Sequence, residues 1–453
     1  MLRHDGPEHV LCYAPSRSGK GVGLVVPTML SWPHSAVATD LKGENYALSA
    51  GWRGRQGQRV LRFEPANATA SIAWNPLDEV RVGTQHETGD IQNLATLIVD
   101  PDGKGLESHW QKTACSFLTG CIAHVLYRGL RDPKYPATLP ALDQLLADPE
   151  KSLYGDKGQP GVCADMLSYL HKDGETHPLV ASSIREQLNR PHEEAGSVVS
   201  TALSYLSIYR DPVVAKNVSR SEFKVRDLMQ SDSAVTLYIV TQPIDKDRLK
   251  PLIRVLINTI VRINASGLSF SGGMPKAHYK QRLLLMLDEF PSMGKLDILK
   301  ESLAFLAGYG IKAYLICQDI NQLHTHYSRD EAITSNCHVQ CAFPPNRIKT
   351  ADHLSKLTGQ TTVVKEQITT SGRAGSPMSV SRSTHEISRP LLTADEAMRM
   401  KGPLKDPTGM ITEAGEMVVY VAGYPAIRGI QPLFFKDSEL VRRARIPAPG
   451  IAK

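Results

Sequence analysis

The sequence predicts an α/β protein in which a mainly parallel sheet is flanked by helices and interrupted by an inserted all-α domain. Three observations support this prediction. A glycine-containing motif at residues 16–21 stands between a strand-like and a helix-like segment. A second apolar run, residues 282–287, is followed directly by two carboxylates. Strand-like segments alternate with helical spacing on both sides of a long region that shows helical spacing alone.

The pattern over residues 8–78 is strand, loop, helix, strand, helix, strand. The strand candidates Val10–Tyr13, Ala36–Thr39 and Arg59–Phe63 are short and rich in β-branched or aromatic residues, with Ser, Gly and Pro between them. The run Val22–Leu30 has helical character. This alternation is typical of a parallel sheet whose strands are joined by crossover helices.

The region from residue 91 to residue 209 has almost no strand-like alternation. Five of its segments have helical apolar spacing: His109–Tyr127, Leu139–Leu146, Ala164–His171, Ala181–Leu188 and Val198–Tyr209. We therefore predict that residues 91–209 form an all-α domain. It interrupts a discontinuous α/β domain made of residues 1–90 and 210–440.

Strand candidates resume after the insert, at Ala234–Val240, Leu283–Leu287, Ala313–Cys317, Val339–Phe343 and Met417–Val421. The segment Gln360–Ser388 contains few apolar residues, so we predict a long polar loop there instead of regular structure. Residues 441–453 contain three arginines followed by two prolines. This segment is predicted to form an exposed basic tail.

The composition is that of a soluble globular protein. Of 453 residues, 42% are hydrophobic and 22% are charged, and this length suits roughly two or three domains. The formal net charge of +6 is compatible with nucleic acid or an anionic membrane as a partner, and proves neither. No apolar run reaches the roughly 18 residues of a membrane span, and no signal-peptide pattern begins the chain. The chain is therefore expected to be soluble as given.

The seven cysteines are scattered and include no CxxC pair, so a reduced cytoplasmic setting is expected. Cys317, Cys337, His338 and Cys341 are one candidate set of metal ligands. No second closely spaced pair completes a tetrahedral set, and buried structural thiols are the better interpretation.

The glycine-containing motif predicts a phosphate-binding loop. Glycines let backbone N–H groups turn inward around a phosphate, the following helix presents its positive end, and Lys20 reaches the outer phosphates. The predicted nucleotide-binding residues are consecutive: Ser16, Arg17, Ser18, Gly19, Lys20, Gly21 and Val22. Together with the acidic strand end, this loop indicates a nucleoside triphosphatase, with Lys20 among its catalytic residues.

The loop departs from the GxxxxGK[ST] pattern at two positions. Ala14 replaces the first glycine, and Gly21 replaces the hydroxyl residue that would bind Mg²⁺. The metal is then left to Asp288, water and the nucleotide. Arg17 either adds charge near a triphosphate or points into solvent, and the sequence leaves both interpretations open.

Two carboxylates follow the apolar strand Leu283–Leu287. They emerge at the edge of the sheet where ligands of open α/β folds bind. Asp288 is predicted to contact Mg²⁺ directly or through water. Glu289 is predicted to be the catalytic general base or the residue that positions water. The tight turn that Phe290 and Pro291 form makes two merely solvated carboxylates the less favoured interpretation.

Polar residues end two other strands at the same edge. Gln318 follows Ala313–Cys317, and we predict that it senses the γ-phosphate or orients water, in preference to capping a loop. The segment Asp40–Glu44 closes the second strand. Its charges either contact nucleotide or a neighbouring subunit, or the segment is simply a strand-to-helix turn. The sequence favours neither interpretation.

Three motifs and several shorter stretches occur in order over nearly the whole chain, at residues 14–23, 40–45, 75–77, 211–215, 287–291, 307–312, 389–393 and 423–428. Together they resemble the TraG-type coupling proteins of bacterial conjugation and type IV secretion, which are FtsK/RecA-like P-loop ATPases. In that family the loop commonly reads Gly-Lys-Gly. Gly21 thus departs from the general P-loop pattern, but not from this group.

The resemblance implies a RecA-like motor domain with an all-α insert, ATP and Mg²⁺ as cofactors, and a homo-hexamer. The implied location is the cytoplasmic face of the bacterial inner membrane. The implied partners are single-stranded DNA, a relaxase or relaxosome or secreted effector proteins, and the channel ATPases and inner-membrane components of a type IV secretion system. Family members normally carry two transmembrane helices before this domain; either that anchor has been removed here or this version is soluble.

Related ring motors often supply a cation in trans to the neighbour's γ-phosphate. Lys312, Arg347 and Arg389 are candidates, and the sequence does not choose among them.

We expect an ATP-hydrolysing coupling protein that recruits relaxosome or effector cargo and drives single-stranded DNA into a type IV secretion channel during conjugation. The alternative is a nucleotide-switched cargo receptor without motor activity. A metabolic kinase would need a phosphate-acceptor pocket and a lid, and the sequence gives no sign of either.

Overall fold

A computed structural model describes residues 3–148, 151–156, 160–266, 268–271, 274–371 and 379–450. The strands in these ranges are β1 (Val10–Tyr13), β2 (Ser35–Leu41), β3 (Arg59–Phe63), β4 (Val235–Thr241), β5 (Leu268–Ser271), β6 (Met274–Ala277), β7 (Leu283–Leu287), β8 (Ile311–Cys317), β9 (Val339–Ala342), β10 (Gln360–Ser371), β11 (Ser379–Pro390), β12 (Leu404–Lys405), β13 (Ile411–Glu413), β14 (Glu416–Val421) and β15 (Ile427–Ile430).

The helices flank these strands. They are α1 (Val26–Ser31), α2 (Glu44–Arg55), α3 (Glu87–Val99), α4 (His109–Arg131), α5 (Leu139–Leu146), α6 (Val162–Ser168), α7 (Pro178–Leu188), α8 (His192–Leu206), α9 (Pro212–Asn217), α10 (Asp227–Gln230), α11 (Lys246–Asn264), α12 (Asp297–Leu306), α13 (Ile320–Tyr327), α14 (Ile333–Asn336), α15 (Ile348–Thr358), α16 (Ala394–Met398) and α17 (Ser438–Ala444).

Nine strands form the central sheet in the order β15-β14-β9-β1-β8-β7-β2-β4-β3. The strands from β9 to β3 run parallel, and β14 and β15 pair antiparallel at one edge. Tyr13 is level with Cys317, and Leu41 with Thr241. The carboxyl ends of β1, β8, β2 and β4 therefore meet at one edge of the sheet, which confirms the predicted α/β architecture.

Both faces of the central strands β1, β4, β7 and β8 are buried. In β7, Leu283, Leu285 and Leu287 pack into the core on the face that also holds α3 and α4. Leu284 and Met286 point into the opposite core, which holds α1 and α2. Successive strand residues alternate between faces, so a strand covered on both sides reads as a continuous apolar run.

The helix after the glycine motif does not start as an ordinary α-helix. Residues 21–25 form a π-helical turn, in which Val26 N–H donates to the carbonyl of Gly21, and α1 follows from Val26. Pro27 lies in the first turn of α1, where proline is tolerated, and has no N–H to donate to the turn before it. The single predicted helix is therefore two joined pieces.

Helices α3 to α8 lie between β3 and β4. In the described part of this region the backbone pairing is limited to one isolated bridge between Lys172 and Glu175. The long helix α4 is its centre, packing on α3, α7 and α8, and Ser108 caps its start by accepting a hydrogen bond from Gln111 N–H. The boundaries of the inserted domain remain a prediction.

The segment Gln360–Ser388 is not the polar loop that its composition predicted. Strands β10 and β11 pair antiparallel over Gln360–Ser371 and Ser379–Pro390, and residues 372–378 lie outside the described part. Hydrophobic side chains on this hairpin, such as Ile368, are exposed. Because neither face is buried, the sequence lacks the alternating apolar pattern by which strands are recognised.

The predicted basic tail is partly exposed and partly packed: of residues 441–450, five are exposed and five are half-buried. Helix α17 includes Arg443, whose guanidinium lies 4.4 Å from the ring centroid of Trp52 in α2 and donates to the carbonyl of Leu30. Tyr46 donates to the carbonyl of Pro449 at 2.8 Å. An arginine can cover an exposed aromatic face, and the sequence does not show which face that is. Residues 451–453 lie outside the described part.

All seven cysteines are free and buried, as structural thiols were predicted to be. Among the described helices, none combines the length and the apolar character that a membrane crossing requires.

Two neutral histidines make the helical region sensitive to acid. His124 and His171 are 3% and 2% exposed and share a 2.9 Å hydrogen bond. His171 Nδ1 accepts from His177 N–H, so its proton lies on Nε2 and is donated to His124. Burial, and then the neighbouring His171, lower the pKa of His124 to about 3; burial lowers the pKa of His171 to about 4.

Between about pH 6.5, the ordinary histidine pKa, and pH 4 the unfolded chain binds protons that the folded chain does not. The free energy of unfolding therefore falls as the pH falls through this range, by up to about 3 kcal/mol for each of the two histidines. His124→Asn, which accepts a hydrogen bond but does not titrate, should reduce this pH dependence in urea titrations. The exposed His109→Asn on the same helix is the control, and an equal slope in both variants would contradict the assignment.

Candidate active site

The glycine motif leaves the sheet at the end of β1. Ala14 N–H donates to the carbonyl of Cys317 at 2.8 Å, and Ser18 N–H closes a turn onto the carbonyl of Pro15 at 3.2 Å. Arg17 has a φ of 59° and an exposed side chain. In this conformation its guanidinium faces solvent. Ser16 is likewise exposed, whereas Ser18 is buried and Val22 half-buried.

Glycine is required at one loop position and tolerated at another. Gly19 has a φ of 91°, and a Cβ there would stand 3.0 Å from Ile411 Cδ1 and 3.1 Å from Gln431 Oε1. Both the backbone conformation and the packing thus exclude a side chain. A Cβ at Gly21 would meet no atom within 4 Å. The missing hydroxyl at this position is therefore not imposed by packing.

Lys20, Asp288 and Glu289 form a compact ionic cluster. Lys20 Nζ lies 2.8 Å from Asp288 Oδ1 and 3.0 Å from Glu289 Oε1. The side chains are 14%, 18% and 20% exposed, respectively. They are buried enough for strong electrostatic interactions and open enough for a ligand to reach. The structure thus brings together the loop lysine and the two strand-end carboxylates.

Burial and pairing shift the three groups differently. Burial disfavours the Lys20 ammonium, but the two carboxylates outweigh it and raise the pKa of Lys20. Burial raises the pKa of Asp288, and Lys20 offsets this only in part. Burial also acts on the pKa of Glu289, but Lys20, Lys246 and Gln318 together hold it below its usual value. The surroundings therefore favour the ionised form of Glu289 more strongly than that of Asp288.

The backbone beyond β7 is fixed by β2. Thr39 Oγ1 accepts from Asp288 N–H at 2.8 Å and donates to the carbonyl of Asp288 at 3.2 Å. Glu289 adopts the left-handed region with a φ of 52°, which is uncommon for a residue with a side chain. The hydrogen bonds from Thr39 and the left-handed conformation of Glu289 turn the chain sharply. The carboxylates of Asp288 and Glu289 can therefore both reach Lys20.

Gln318, at the end of β8, joins the cluster. Its Nε2 donates to Glu289 Oε1 at 3.3 Å, and its own N–H donates to Gln322 Oε1 at 3.0 Å. Lys246, at the start of α11, places Nζ 3.6 Å from Glu289 Oε2. Each oxygen of Glu289 therefore faces a cationic or amide donor.

The sequence alone did not predict Thr39, Lys246 or Gln431 as site residues. The position of Thr39 could have identified it, since it is the last residue of a predicted strand and directly precedes the motif that begins at residue 40. No sequence feature could have identified Lys246 or Gln431, because neither lies in or next to a motif that relates it to the loop.

For the segment Asp40–Glu44 the structure favours the strand-to-helix turn. Asp40 is 2% exposed, and its Oδ2 accepts from Tyr46 N–H at 2.8 Å, which fixes the start of α2. Burial raises the pKa of Asp40 to about 6. Lys42 and Gly43, with φ of 80° and 84°, complete the turn.

Lys312 lies away from the cluster. It is the second residue of β8, at the amino end, whereas Gln318 follows the carboxyl end. Lys312 is 4% exposed and donates to the carbonyl of Gly6 at 2.8 Å. Burial, followed by repulsion from Arg282, lowers its pKa to about 8. This placement argues against insertion of Lys312 into a neighbouring site.

The two arginine candidates for action in trans are more accessible. The Arg347 side chain is 61% exposed and pairs with Asp319 at 3.2 Å, next to Gln318. Arg389 pairs with Glu396 at 2.6 Å at the base of the β10–β11 hairpin. Of the two, Arg347 lies at the rim of the ionic cluster of its own chain.

The parallel sheet, the glycine loop after β1 and the acidic end of β7 define the RecA-like fold of P-loop nucleoside triphosphatases. A family model described as type IV secretory system conjugative DNA transfer matches residues 1–449. The chain belongs to this family. It is similar to the conjugal transfer protein TraG of Escherichia coli, with 63% identity over 457 residues that cover 100% of this chain and 71% of TraG.

More distant similarities agree. The protein VirD4 of Rhizobium radiobacter is 26% identical over 458 residues, which cover 97% of this chain and 59% of VirD4. Among solved structures, the bacterial conjugative coupling protein TrwBdeltaN70 in its unbound form superimposes with a TM-score of 0.66 at 18% identity, covering 96% of this chain and 86% of that one. TrwB in complex with ADP and Mg²⁺ gives 0.64 at 16% identity, with coverage of 96% and 87%.

Proposed function

We propose that this chain hydrolyses ATP with Mg²⁺ and uses the energy to drive single-stranded DNA into a type IV secretion channel during conjugation. The observation that supports this most directly is the cluster of Lys20, Asp288, Glu289 and Gln318. It combines a phosphate-binding cation, a metal-binding carboxylate and a group able to position water.

The cluster fits a magnesium–nucleotide. Gly19 keeps the loop backbone free of a side chain, and the Asp288 carboxylate is an oxygen ligand of the kind that Mg²⁺ prefers. Because Gly21 offers no hydroxyl, Asp288 would hold the metal together with nucleotide oxygens and water. When bound, the metal would neutralise charge on the phosphate oxygens.

Without nucleotide, Lys20 is shared by Asp288 and Glu289. Arriving phosphates compete for the same ammonium and draw it away from Asp288, which frees that carboxylate. Glu289 keeps donors on both oxygens through Gln318 and Lys246. Its carboxylate, held ionised, is then placed to accept a proton from an attacking water that Gln318 orients.

The assembly and partners follow from the family. We propose a homo-hexamer at the cytoplasmic face of the inner membrane, which receives DNA with a relaxase, relaxosome or effector protein and passes it to the channel ATPases and inner-membrane components. The net charge of +6 suits phosphate-backbone contacts. Arg347 is the preferred candidate for stabilising the neighbour's γ-phosphate, since its side chain is 61% exposed, against 40% for Arg389.

DNA stimulation tests the motor function. ATP hydrolysis by the purified chain should rise severalfold when single-stranded DNA is added at low salt. The rise should shrink as salt is increased, because phosphate contacts are screened. Arg347→Ala should lower the stimulated rate with little effect on ADP binding. Arg399→Ala, at a still more exposed arginine (78% against 61%), should leave the stimulated rate unchanged. Equal hydrolysis with and without DNA would favour the nucleotide-switched receptor.

A further inference from the structure

Gln431 lies on the glycine loop, although it is far away in sequence. It follows β15, its N–H donates to the carbonyl of Gly415 at 2.9 Å, and its side chain is 2% exposed. A Cβ added at Gly19 or at Gly23 would lie within 3.6 Å of Gln431 atoms. The side chain therefore covers the loop and the first turn of the following helix.

The Gln431 amide holds one peptide group of the loop. Nε2 donates to the carbonyl of Ser18 at 3.1 Å. The reverse orientation of the amide would set its oxygen against that carbonyl, so the donor faces the loop. In a trans peptide the C=O and the N–H point in opposite directions. With the Ser18 carbonyl directed at Gln431, the N–H of Gly19 is directed away from it, toward the other side of the loop.

The same peptide is poorly restrained by its own residues. Gly19, with a φ of 91°, can adopt several backbone conformations at little cost. A flipped Ser18–Gly19 peptide would present a carbonyl oxygen where a phosphate requires an N–H donor. A hydrogen bond from outside the loop is therefore the means by which one orientation is maintained.

Two polar atoms at this contact have no hydrogen-bond partner among the described residues. They are Gln431 Oε1 and Ser18 Oγ, and both are buried. Buried unpaired groups are costly, and an apolar side chain of similar size would avoid the cost at position 431. An amide at this position is explained by the hydrogen bond that its nitrogen donates to the carbonyl of Ser18 in the loop.

We propose that Gln431 is a positioning residue for nucleotide binding, which holds the Ser18–Gly19 peptide so that the Gly19 N–H faces the phosphates. The proposal rests on the proposed nucleotide site. It also links that site to the C-terminal edge of the sheet, since β15 pairs with β14, β14 with β9, and β9 with β1, the strand that leads into the loop.

The test is Gln431→Ala in the full chain, with the dissociation constant of ADP and Mg²⁺ measured by calorimetry. Without the anchor, only a fraction of molecules holds a competent loop, and the apparent affinity falls by that fraction. We expect about a tenfold weaker affinity and an equally raised KM for ATP. The kcat should stay within about twofold, because saturating nucleotide restores the loop.

The isosteric Gln431→Glu supplies a readout that a packing role would not affect. Its carboxylate cannot donate to Ser18 and adds negative charge beside the phosphates. At pH 8 its affinity for ADP should be weaker than that of Gln431→Ala. Burial at this position raises the pKa of a glutamate above its ordinary value. Protonation should therefore restore a donor as the pH falls toward about 5, and the affinity should return toward that of the unchanged chain. If Gln431→Ala fails to fold, Gln431→Glu still tests the role of Gln431.

Gln187→Ala is the matched control. Gln187 is 1% exposed, its Nε2 donates to the carbonyl of Ala195 at 2.8 Å, and its Oε1 likewise has no partner among the described residues. It lies in α7, within the helical region. It should lower the melting temperature about as much as Gln431→Ala while leaving the affinity for ADP unchanged.

The outcomes are distinguishable. Unchanged ADP affinity in Gln431→Ala, an equal loss in Gln187→Ala, or a pH-independent Gln431→Glu would each overturn the role of Gln431. Failure of the unchanged chain to bind ADP would instead overturn the proposed nucleotide site itself.

Discussion

Replacing Lys20 with alanine is expected to lower the rate of ATP hydrolysis by about a hundredfold to a thousandfold. Lys20 is the one described cation within hydrogen-bond distance of both Asp288 and Glu289, and it is the residue that the loop would present to the outer phosphates. Its loss removes charge stabilisation in a partly buried site, where such charge is worth most. Steady-state hydrolysis measured with and without single-stranded DNA checks this result.

The Lys20 variant needs a control for stability and charge. Its loss leaves Asp288 and Glu289 adjacent without their counter-ion, so the folded state must be verified by circular dichroism. Lys280→Ala removes a lysine whose partner, Asp232, lies outside the site, and should hydrolyse ATP at the unchanged rate. Full hydrolysis by the Lys20 variant would show that the phosphates bind elsewhere.

Glu289→Gln is expected to separate nucleotide binding from hydrolysis. Glutamine has the same shape and can still accept from Lys20 and Gln318, but it cannot take a proton from water. The hydrolysis rate should fall by about a hundredfold or more. The affinity for ATP should be kept or improved, because one negative charge beside the phosphates is removed. Single-turnover hydrolysis and calorimetry measure the two quantities independently.

The same variant distinguishes the two functions considered for this chain. A motor requires hydrolysis, so DNA transfer in a mating assay should be lost while cargo binding persists. A nucleotide switch would retain transfer. Glu301→Gln, an exposed carboxylate on α12, is the control and should transfer DNA normally. Unimpaired hydrolysis in Glu289→Gln would remove Glu289 from the proposed mechanism.

The strands buried on both faces were the most predictable part of the fold. Val10–Tyr13 and Leu283–Leu287 were predicted with the bounds that the structure shows, because their apolar character is continuous and ends abruptly at turn residues. The edge strand Arg59–Phe63 also has its predicted bounds. The β10–β11 hairpin could not be predicted in this way, since it has no buried face. The C-terminal helix was missed because it buries only Leu440 against Val26 and Leu30, while its arginines, which usually indicate solvent, make further contacts.

The residues of the candidate site also fall into a group that the sequence predicted and a group that it did not. Lys20, Asp288, Glu289 and Gln318 were all predicted to lie together, since each follows a strand and parallel strands end at a common edge. Their roles remain predictions. Lys246 and Gln431 could not be anticipated, because each reaches the site from an element with no recognisable motif.

The sequence by itself determined the family, the positions of the buried strands along the chain and the identities of the loop lysine and the acidic pair, because these depend on local spacing and on strand ends. Tertiary structure alone decided that Lys20 pairs with a carboxylate 269 positions away and that Gln431 holds a peptide 413 positions away. It also decided that Asp288 and Glu289 have opposite pKa shifts. Burial and distance set these properties, and both arise only when distant segments pack together.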